Sequence, residues 1–475
     1  MFTRNKTKIV CTIGPASESS HSMAGLLRAG MNVARLNFSH GAFEWHEKII
    51  DRLRTVSQQE GRRLAIMADL PGPKIRIGLL ENEAIHLKQG DDFTLTTEEI
   101  VGDEKRAYVS LPTLPDSVKV GDQLFLNDGI IHLEVCEIMK TDVRCTVLVG
   151  GDLLSKKGVN LPGIDLGIST FTDRDHECLR FALSKGVDAV SQSFVACASD
   201  IHLLRNTAAQ MGKNPFIIAK IERTQALDHV DSIIDAADGI MIARGDLGVE
   251  IPLERIAIVQ KQLTHRANRA GKPVITATHM LESMVDRRRP TRAEVTDVAN
   301  AILDGTDAVM LSEESALGSY PVESVEMLCS IAAGTEPYRP SETAWEANAN
   351  YEKADDDNLT DYMSRNINHI VDSLEPAAVI VPTASGHTAR MVSRFKLPLW
   401  IVAFSRDEKV CRDLQFSYGV HGCCEEERSG DWKSFIHDWM RKNGLPADGM
   451  AVLVRGPSRE HPDANHSVEI ILPNA

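Results

Sequence analysis

The sequence predicts a (β/α)8 TIM barrel, in the α/β class, with an inserted all-β lid domain and a C-terminal open α/β domain. Three observations predict it. Short apolar runs alternate with longer amphipathic segments through roughly the first 337 residues, as parallel strands covered by helices do. That alternation breaks once, between about residues 78 and 163, where the apolar period shortens to the two-residue alternation of strands. A second set of strand-turn-helix units follows a polar stretch after Tyr338. A chain of 475 residues is too long for one core. The expected domains are therefore 1–77 with 164–337, 78–163, and 338–475.

The barrel strands are expected at about 6–12, 31–38, 64–70, 188–194, 216–222, 239–244, 273–279 and 308–313. They close most economically into a barrel, because a closed sheet leaves no edge strand exposed. The clearest helix runs from about Pro252 to Ala270, with proline in its first turn, Ile256, Val259 and Leu263 on one face, and Gly271 past its end. In the interruption, AIHLKQGDDFTLTT and DQLFLNDGIIHLEV carry Gly-Asp and Asn-Asp-Gly turns and read as antiparallel strands. An insertion after strand three belongs over the C-terminal mouth, where such barrels hold their active sites. The stretch RPSETAWEANANYEKADDDN reads as a linker with a helical continuation. Beyond it, PAAVIVPTASGHTARMVSRF and LPLWIVAFS are units of an open layer that ends in MAVLVRG and SVEIILP. Trp432 and Trp439 share a helix face as core or interface residues, and the acidic run from Glu425 to Glu427 reads as a solvated loop.

Composition narrows the function. With 43% hydrophobic and 25% charged residues and no long apolar run, the chain is neither collagen-like, disordered nor membrane-spanning. Its 52 basic and 67 acidic residues give a net charge of −15, which repels nucleic acid and anionic lipid, so neither is an expected partner. Nine cysteines without metal-type spacing, including the adjacent Cys423 and Cys424, point to a reducing compartment. The short apolar stretch from Ile9 to Thr12 is no signal-peptide core, so a cytoplasmic protein is expected.

The strand ends carry the chemistry. Strand two ends in Arg35, Asn37, Ser39 and His40; strand three in Asp69, then Lys74 and Arg76. Strand five ends in Lys220 and Glu222, six in Arg244 and Asp246, seven in Thr278, eight in Ser312 and Glu314. Basic groups from strands two, three, five and six would face one cavity. Unit charges about 4 Å apart interact by roughly 4 kcal/mol at an effective dielectric of 20, so this convergence asks for a polyanionic ligand. Glu222 and Asp246 lack a histidine or cysteine companion, and oxygen-only ligation favours magnesium or manganese. Gly245, Asp246 and Gly248 make a turn whose N–H groups would bind a carboxylate or phosphate. For any one residue an internal salt bridge is the alternative. For the whole rim it is a poor account, because buried ion pairs add little net stability.

The segments ARLNFSHG, GPKIR, SKKGVNLPG, IIAKIE, IMIARGDLGVEIP, VITATHMLESM and PTRAEVTDVANAILDGTDAVMLS resemble, in order and spacing, those of the pyruvate kinase family, bacterial three-domain type. The resemblance covers nearly the whole chain. It implies transfer of the phosphoryl group of phosphoenolpyruvate to ADP, giving pyruvate and ATP, the last step of glycolysis. In that reading Arg35 binds the transferred phosphate, Lys220 offsets charge on the phosphoryl oxygens and the enolate, and Glu222 and Asp246 hold magnesium or manganese. Gly245, Asp246 and Thr278 grip the substrate carboxylate, while His40, Arg76 and Lys157 serve the nucleotide. Thr278, Ser312 and Glu314 would relay a proton, although SEESA and His279 depart from the family pattern here. Asn37, Ser39, Asp69 and the Leu70 carbonyl correspond to a monovalent cation site. Lys74 stands where potassium-dependent members carry glutamate, and Leu70-Pro71 replaces their Thr-Lys pair, so potassium is not expected to be required. Thr383, Ser385, Gly386 and Thr388 resemble the loop that holds the phosphate of an allosteric effector, with Ala384 in place of the usual glutamate and an atypical later loop, GPSREHPDANHS. An ordinary Ser/Thr helix cap is the alternative for that loop. The family also implies a homotetramer with the TRAEVTDVANA helix at an interface. Two other readings stand beside it: another magnesium-dependent pyruvate-enolate barrel enzyme of lyase or aldolase type, and a non-catalytic metabolite sensor.

Overall fold

The computed structural model describes residues 2–127, 129–164, 167–339, 359–425, 431–446, 448–456 and 466–473. Barrel strands one to eight are Lys8–Thr12, Val33–Asn37, Ala65–Asp69, Ala189–Gln192, Phe216–Ile221, Gly239–Ala243, Val274–Ala277 and Ala308–Leu311. Each pairs in parallel with the next, and the eighth closes on the first with Lys8 opposite Ala308. Alternation along the strands divides the apolar residues between two cores. Val10, Val33, Met67, Ile218, Met241, Ile275 and Met310 fill the barrel interior, whereas Ile9, Leu36, Ile66, Ile217 and Ile240 pack outward beneath the helices. The interior cluster includes Phe416 from the C-terminal domain, whose ring stacks on Phe216 with centroids 5.2 Å apart and plugs the floor.

The helix expected from Pro252 begins later. Pro252 is extended (φ −52°, ψ 129°), Leu253–Arg255 make a 3-10 turn, and the α-helix is Ile256–Arg269, with Val259 and Leu263 buried. The segment PTRAEVTDVANA forms the helix Arg292–Leu303, started by a reciprocal Thr291–Glu294 cap.

The insertion has its own core, including Phe93, Leu95, Leu124, Ile131, Leu133 and Val143. A six-stranded sheet and a two-stranded one build it. One pair departs from the antiparallel expectation: Asp92–Thr96 runs parallel to Arg106–Tyr108, because the nine residues between them cross over rather than turn back directly. The insertion leans on the mouth. A Cβ placed on Gly129 would lie 3.4 Å from Val249, in the helix after strand six, and the Ile164 carbonyl accepts from Arg223 (3.1 Å) and Gln225 (3.0 Å).

The last domain is a five-stranded sheet in the order Val420–Cys424, Trp400–Ser405, Ala378–Pro382, Ala451–Arg455, Ser467–Ile471, with only the final strand antiparallel. Trp439 is buried and meets Phe404 edge-on at 5.5 Å, with Trp432 6.3 Å from the same ring. The expected linker from Pro340 to Asn358, Glu426 and Glu427 of the acidic run, and residues 457–465 of the atypical loop lie outside the described residues. The nine cysteines are free, and among the described residues no helix is long and apolar enough to cross a membrane.

Candidate active site

The C-terminal ends of the barrel strands gather Arg35, Asp69, Lys220, Glu222 and Asp246 at one place. Asp69 is the hub. Its Oδ2 accepts from Arg35 Nε (2.8 Å) and Nη2 (2.5 Å), and its Oδ1 accepts from Ser191 Oγ (2.7 Å) with Lys220 Nζ 3.6 Å away. Burial alone would raise the Asp69 carboxyl pKa, but Lys220 and Arg35 outweigh it and hold it at about 2. Arg35 is fixed further by Thr12 Oγ1, which accepts from Nη1 at 2.8 Å and donates to the Leu311 carbonyl. This locks the guanidinium plane while leaving part of its N–H fork unspent.

Lys220 Nζ donates to Ser193 Oγ at 2.8 Å and lies 3.2 Å from Glu222 Oε2. Burial works against its charge, but Asp69, Glu222 and Asp246 raise its pKa, so it stays an ammonium. Glu222 is 2% exposed. Its Oε1 accepts the Phe194 N–H at 2.6 Å, whereas Oε2 has no hydrogen bond among the described residues, the nearby ammonium being out of line. Burial pushes the Glu222 carboxyl pKa up, Lys220 opposes this, and Asp246 adds to it. A buried carboxylate oxygen with no donor, beside a second carboxylate, is the arrangement a divalent cation relieves. Among the described residues no group of three or more His, Cys, Asp or Glu could hold a metal.

Asp246 sits in the first turn of a short helix, Arg244–Glu250, which replaces the expected open turn. In consequence the Gly245 N–H is already spent: it donates to Thr278 Oγ1 at 2.7 Å, and that hydroxyl donates to the Ala277 carbonyl at 2.6 Å. Thr278 and His279 both have left-handed backbones, φ 68° and 54°. That is rare for a β-branched residue and is the kind of strain that collects at functional sites. Arg244 does not join the cationic rim. It is bound to Asp297 (2.7 Å), Gln260 and the Ala277 and Thr278 carbonyls.

Two models of known families match, the barrel domain of pyruvate kinase over residues 4–325 and the alpha/beta domain of pyruvate kinase over 361–471. The pyruvate kinase of Thermococcus litoralis is 48% identical over 428 residues, 89% of each chain. That of Geobacillus stearothermophilus is 44% identical over 88% of this chain and 71% of its own. A crystal structure of a pyruvate kinase from Cryptosporidium parvum, 34% identical, superposes with a TM-score of 0.92 over 99% of this chain and 97% of that one. The chain belongs to the pyruvate kinase family. It is an enzyme of that family, and the alternative of a lyase or a sensor falls away.

Against the pyruvate kinase pattern, the remaining residues fall into place unevenly. His40 is exposed at the rim, its pKa lowered by partial desolvation and by the neighbouring charges of Lys74, Arg76 and Arg35. Arg76 Nη1 donates to the Lys156 carbonyl at 2.7 Å, and Lys157 lies where its own carbonyl accepts the Ile77 N–H, at the joint between barrel and lid. Around the expected monovalent site, Asn37 Oδ1 accepts the Ser39 N–H, the Leu70 carbonyl accepts Ser193 Oγ, and Asp69 is fully engaged. Glu314 accepts the Leu281 and Ser312 N–H groups, and no hydrogen bond among the described residues joins it to Thr278. In the C-terminal loop, Thr383 Oγ1 accepts the Gly386 N–H and Ser385 Oγ the His387 N–H at the entry to the helix His387–Ser393, whose N-cap is Gly386; Thr388 lines a cleft with Arg455 and His466. Sequence reasoning missed Thr12, Ser191, Ser193 and the Phe194 N–H. The signal was present in SQS, a polar run that ends the fully buried strand Ala189–Gln192 and continues into the corner after it.

Proposed function

We propose that the enzyme transfers the phosphoryl group of phosphoenolpyruvate to ADP with a magnesium or manganese ion held by Glu222 and Asp246, and that it needs no potassium. The single observation that carries this reading is Glu222 Oε2, buried without a hydrogen bond among the described residues, beside the Lys220 ammonium and within the field of Asp246. When bound, the divalent ion supplies charge neutralisation and a template for substrate oxygens. Arg35, fixed by Asp69 and Thr12, receives the phosphate in transfer, and Lys220 faces the charge that develops on the phosphoryl oxygens and the enolate. The substrate carboxylate takes over the Gly245 N–H that now donates to Thr278 Oγ1 and the Thr278 O–H that now donates to the Ala277 carbonyl, together with the Asp246 N–H. His40, Arg76 and Lys157 line the nucleotide side, beneath a lid whose closure excludes water. Thr278 directly follows strand seven, Ser312 directly follows strand eight and Glu314 sits in the short helix Glu313–Ala316; a water bound among them would reach the enolate carbon.

Lys74 supports the potassium reading. It is exposed at the mouth, forms no ion pair among the described residues, and has its pKa lowered by partial desolvation, Lys220 and Arg76, with Asp69 and Asp246 opposing. A resident ammonium among these groups supplies the charge a monovalent ion would bring. Catalysis resides in 1–77 with 164–337, the lid is 78–163, and 338–475 binds a phosphorylated effector through the loop from Thr383 to Thr388. The enzyme acts as a cytoplasmic homotetramer. The test is ATP formation from phosphoenolpyruvate and ADP with magnesium present. Replacing potassium by tetramethylammonium should leave turnover within about twofold, and a tenfold fall would refute potassium independence. Sugar phosphates and nucleotides titrated against substrate curves should shift them, and indifference to all of them removes the effector assignment.

A further inference from the structure

We infer that the corner after strand four, Ser193 and Phe194, positions the two charged groups of strand five, with Ser193 holding the Lys220 ammonium away from Glu222 so that Glu222 Oε2 stays open to the divalent ion. This rests on the roles proposed for Lys220 and Glu222. Ser193 is 2% exposed. Its hydroxyl proton is committed to the Leu70 carbonyl at 2.7 Å, so the oxygen can only accept from Lys220 Nζ, at 2.8 Å. The ammonium also has two carboxylates within reach, Glu222 Oε2 at 3.2 Å and Asp69 Oδ1 at 3.6 Å, yet no hydrogen bond to either is formed among the described residues. A neutral acceptor thus wins the directional bond over two anions. One of the three N–H donors is thereby committed to Ser193 and to neither carboxylate. Without it, the ammonium would close onto the nearer carboxylate, Glu222, and cover the oxygen that has no other donor.

The adjacent residue does the complementary work. Phe194 has φ 59°, a conformation disfavoured for any residue with a Cβ, and its N–H donates to Glu222 Oε1 at 2.6 Å. That bond pins one carboxylate oxygen and fixes where the other points. Gly72 closes one side of the corner: a Cβ on it, at φ 65°, would lie 2.7 Å from the Phe194 ring and 3.0 Å from Ser193 Cβ. Both residues are positioning residues, acting through Lys220 and Glu222.

The test compares Ser193→Ala, Ser193→Cys and Ser193→Thr with the wild type and with Lys220→Met. Outer-shell partners typically carry about 10- to 100-fold in activity or metal affinity. Ser193→Ala should lose that much in kcat, with KM for phosphoenolpyruvate within about threefold. It should also weaken Mn2+ binding to the substrate-free enzyme, read by electron paramagnetic resonance, by about tenfold or more. Ser193→Cys, close in size but a poorer acceptor, should fall between, and Ser193→Thr should recover most of both. Wild-type kcat and Mn2+ affinity in the alanine or cysteine variant would overturn the inference. So would a joint loss of kcat, KM and Tm that threonine does not rescue, which would mark packing alone. Full turnover in Lys220→Met would instead sink the assignment of Lys220 itself.

Discussion

Acidic residues stand at both ends of the barrel, and the two ends treat them differently. At the floor, Asp188, Asp238 and Asp307 each precede a strand and accept a backbone N–H at the start of the neighbouring one: Ile66 at 2.7 Å, Ile217 at 2.9 Å and Val274 at 3.1 Å. Asn32 does the same for Ile9. Each carboxylate also has a cation, Arg54 and Arg412 on Asp188, Arg205 on Asp238, and Lys396 on Asp307 at 2.6 Å. The C-terminal domain supplies Arg412, Lys396, the Tyr418 N–H on Asp307 and the Val420 carbonyl for Lys8. At the mouth, Glu222 keeps one oxygen without a donor, and Phe194, Thr278 and His279 hold left-handed backbones. The same chemical group is thus a fastener where it holds a neighbouring strand's N–H and a cation, and an open acceptor where one oxygen has no hydrogen bond among the described residues.

The largest effect should come from the mouth. Glu222→Gln is expected to lower kcat by about a thousandfold, roughly 4 kcal/mol of transition-state stabilisation. Its stability should move the other way. Burial raises the Glu222 carboxyl above its ordinary value of 4.5, with Asp246 adding and Lys220 opposing, so the native state binds this proton more readily than the unfolded chain does. Such a group weakens the fold as pH rises past its unfolded value, and a neutral amide removes that penalty. Calorimetry without metal should give a Tm equal to or above wild type, and a fall of several degrees would make Glu222 a fastener and break the comparison.

The floor should answer in the opposite sense. Asp307→Ala strips the Val274 and Tyr418 N–H groups of their acceptor and leaves Lys396, 4% exposed in its side chain, without its carboxylate. Breaking a buried pair this way costs about 3–5 kcal/mol. Denaturant unfolding should show that loss while kcat of the folded enzyme stays within about threefold. A stable variant with collapsed kcat would mean that the floor serves the chemistry directly.

This contrast marks what a sequence can carry. The eight strands were legible because each is an apolar run with the right spacing, and Lys220 with Glu222 was legible because strand five ends in charge. The open-turn reading of Gly245 failed for a local reason, since Arg244–Glu250 continues as a helix and turns that N–H toward Thr278. The partners of Arg244 and Asp69 were illegible for a non-local one. Whether a charged atom is free depends on groups from other strands, Asp297 for Arg244 and Ser191 with Arg35 for Asp69, and no spacing rule announces them. Ser193 carries no charge and was passed over, although it makes the one directional contact to Lys220.

The smallest expected effect tests whether the two ends communicate. His421, on the C-terminal strand that meets the floor, packs 4.8 Å from the Phe2 ring and 6.2 Å from Trp439, and burial with Lys8 and Arg63 nearby lowers its pKa to about 3 from 6.5. The folded protein therefore keeps the ring neutral where the unfolded chain would protonate it. The resulting stability is complete above about pH 6.5 and drains away as pH falls toward the folded pKa, at 1.36 kcal/mol per unit, or about 1–2 kcal/mol between pH 7 and 5. His421→Asn should flatten that part of the unfolding curve, and parallel curves for variant and wild type would refute the assignment. If kcat of the wild type falls over the same window and the asparagine variant loses that fall too, the grip on the floor sets the geometry of the mouth. Should kcat ignore the substitution, the fastened end and the open end are independent parts of one barrel.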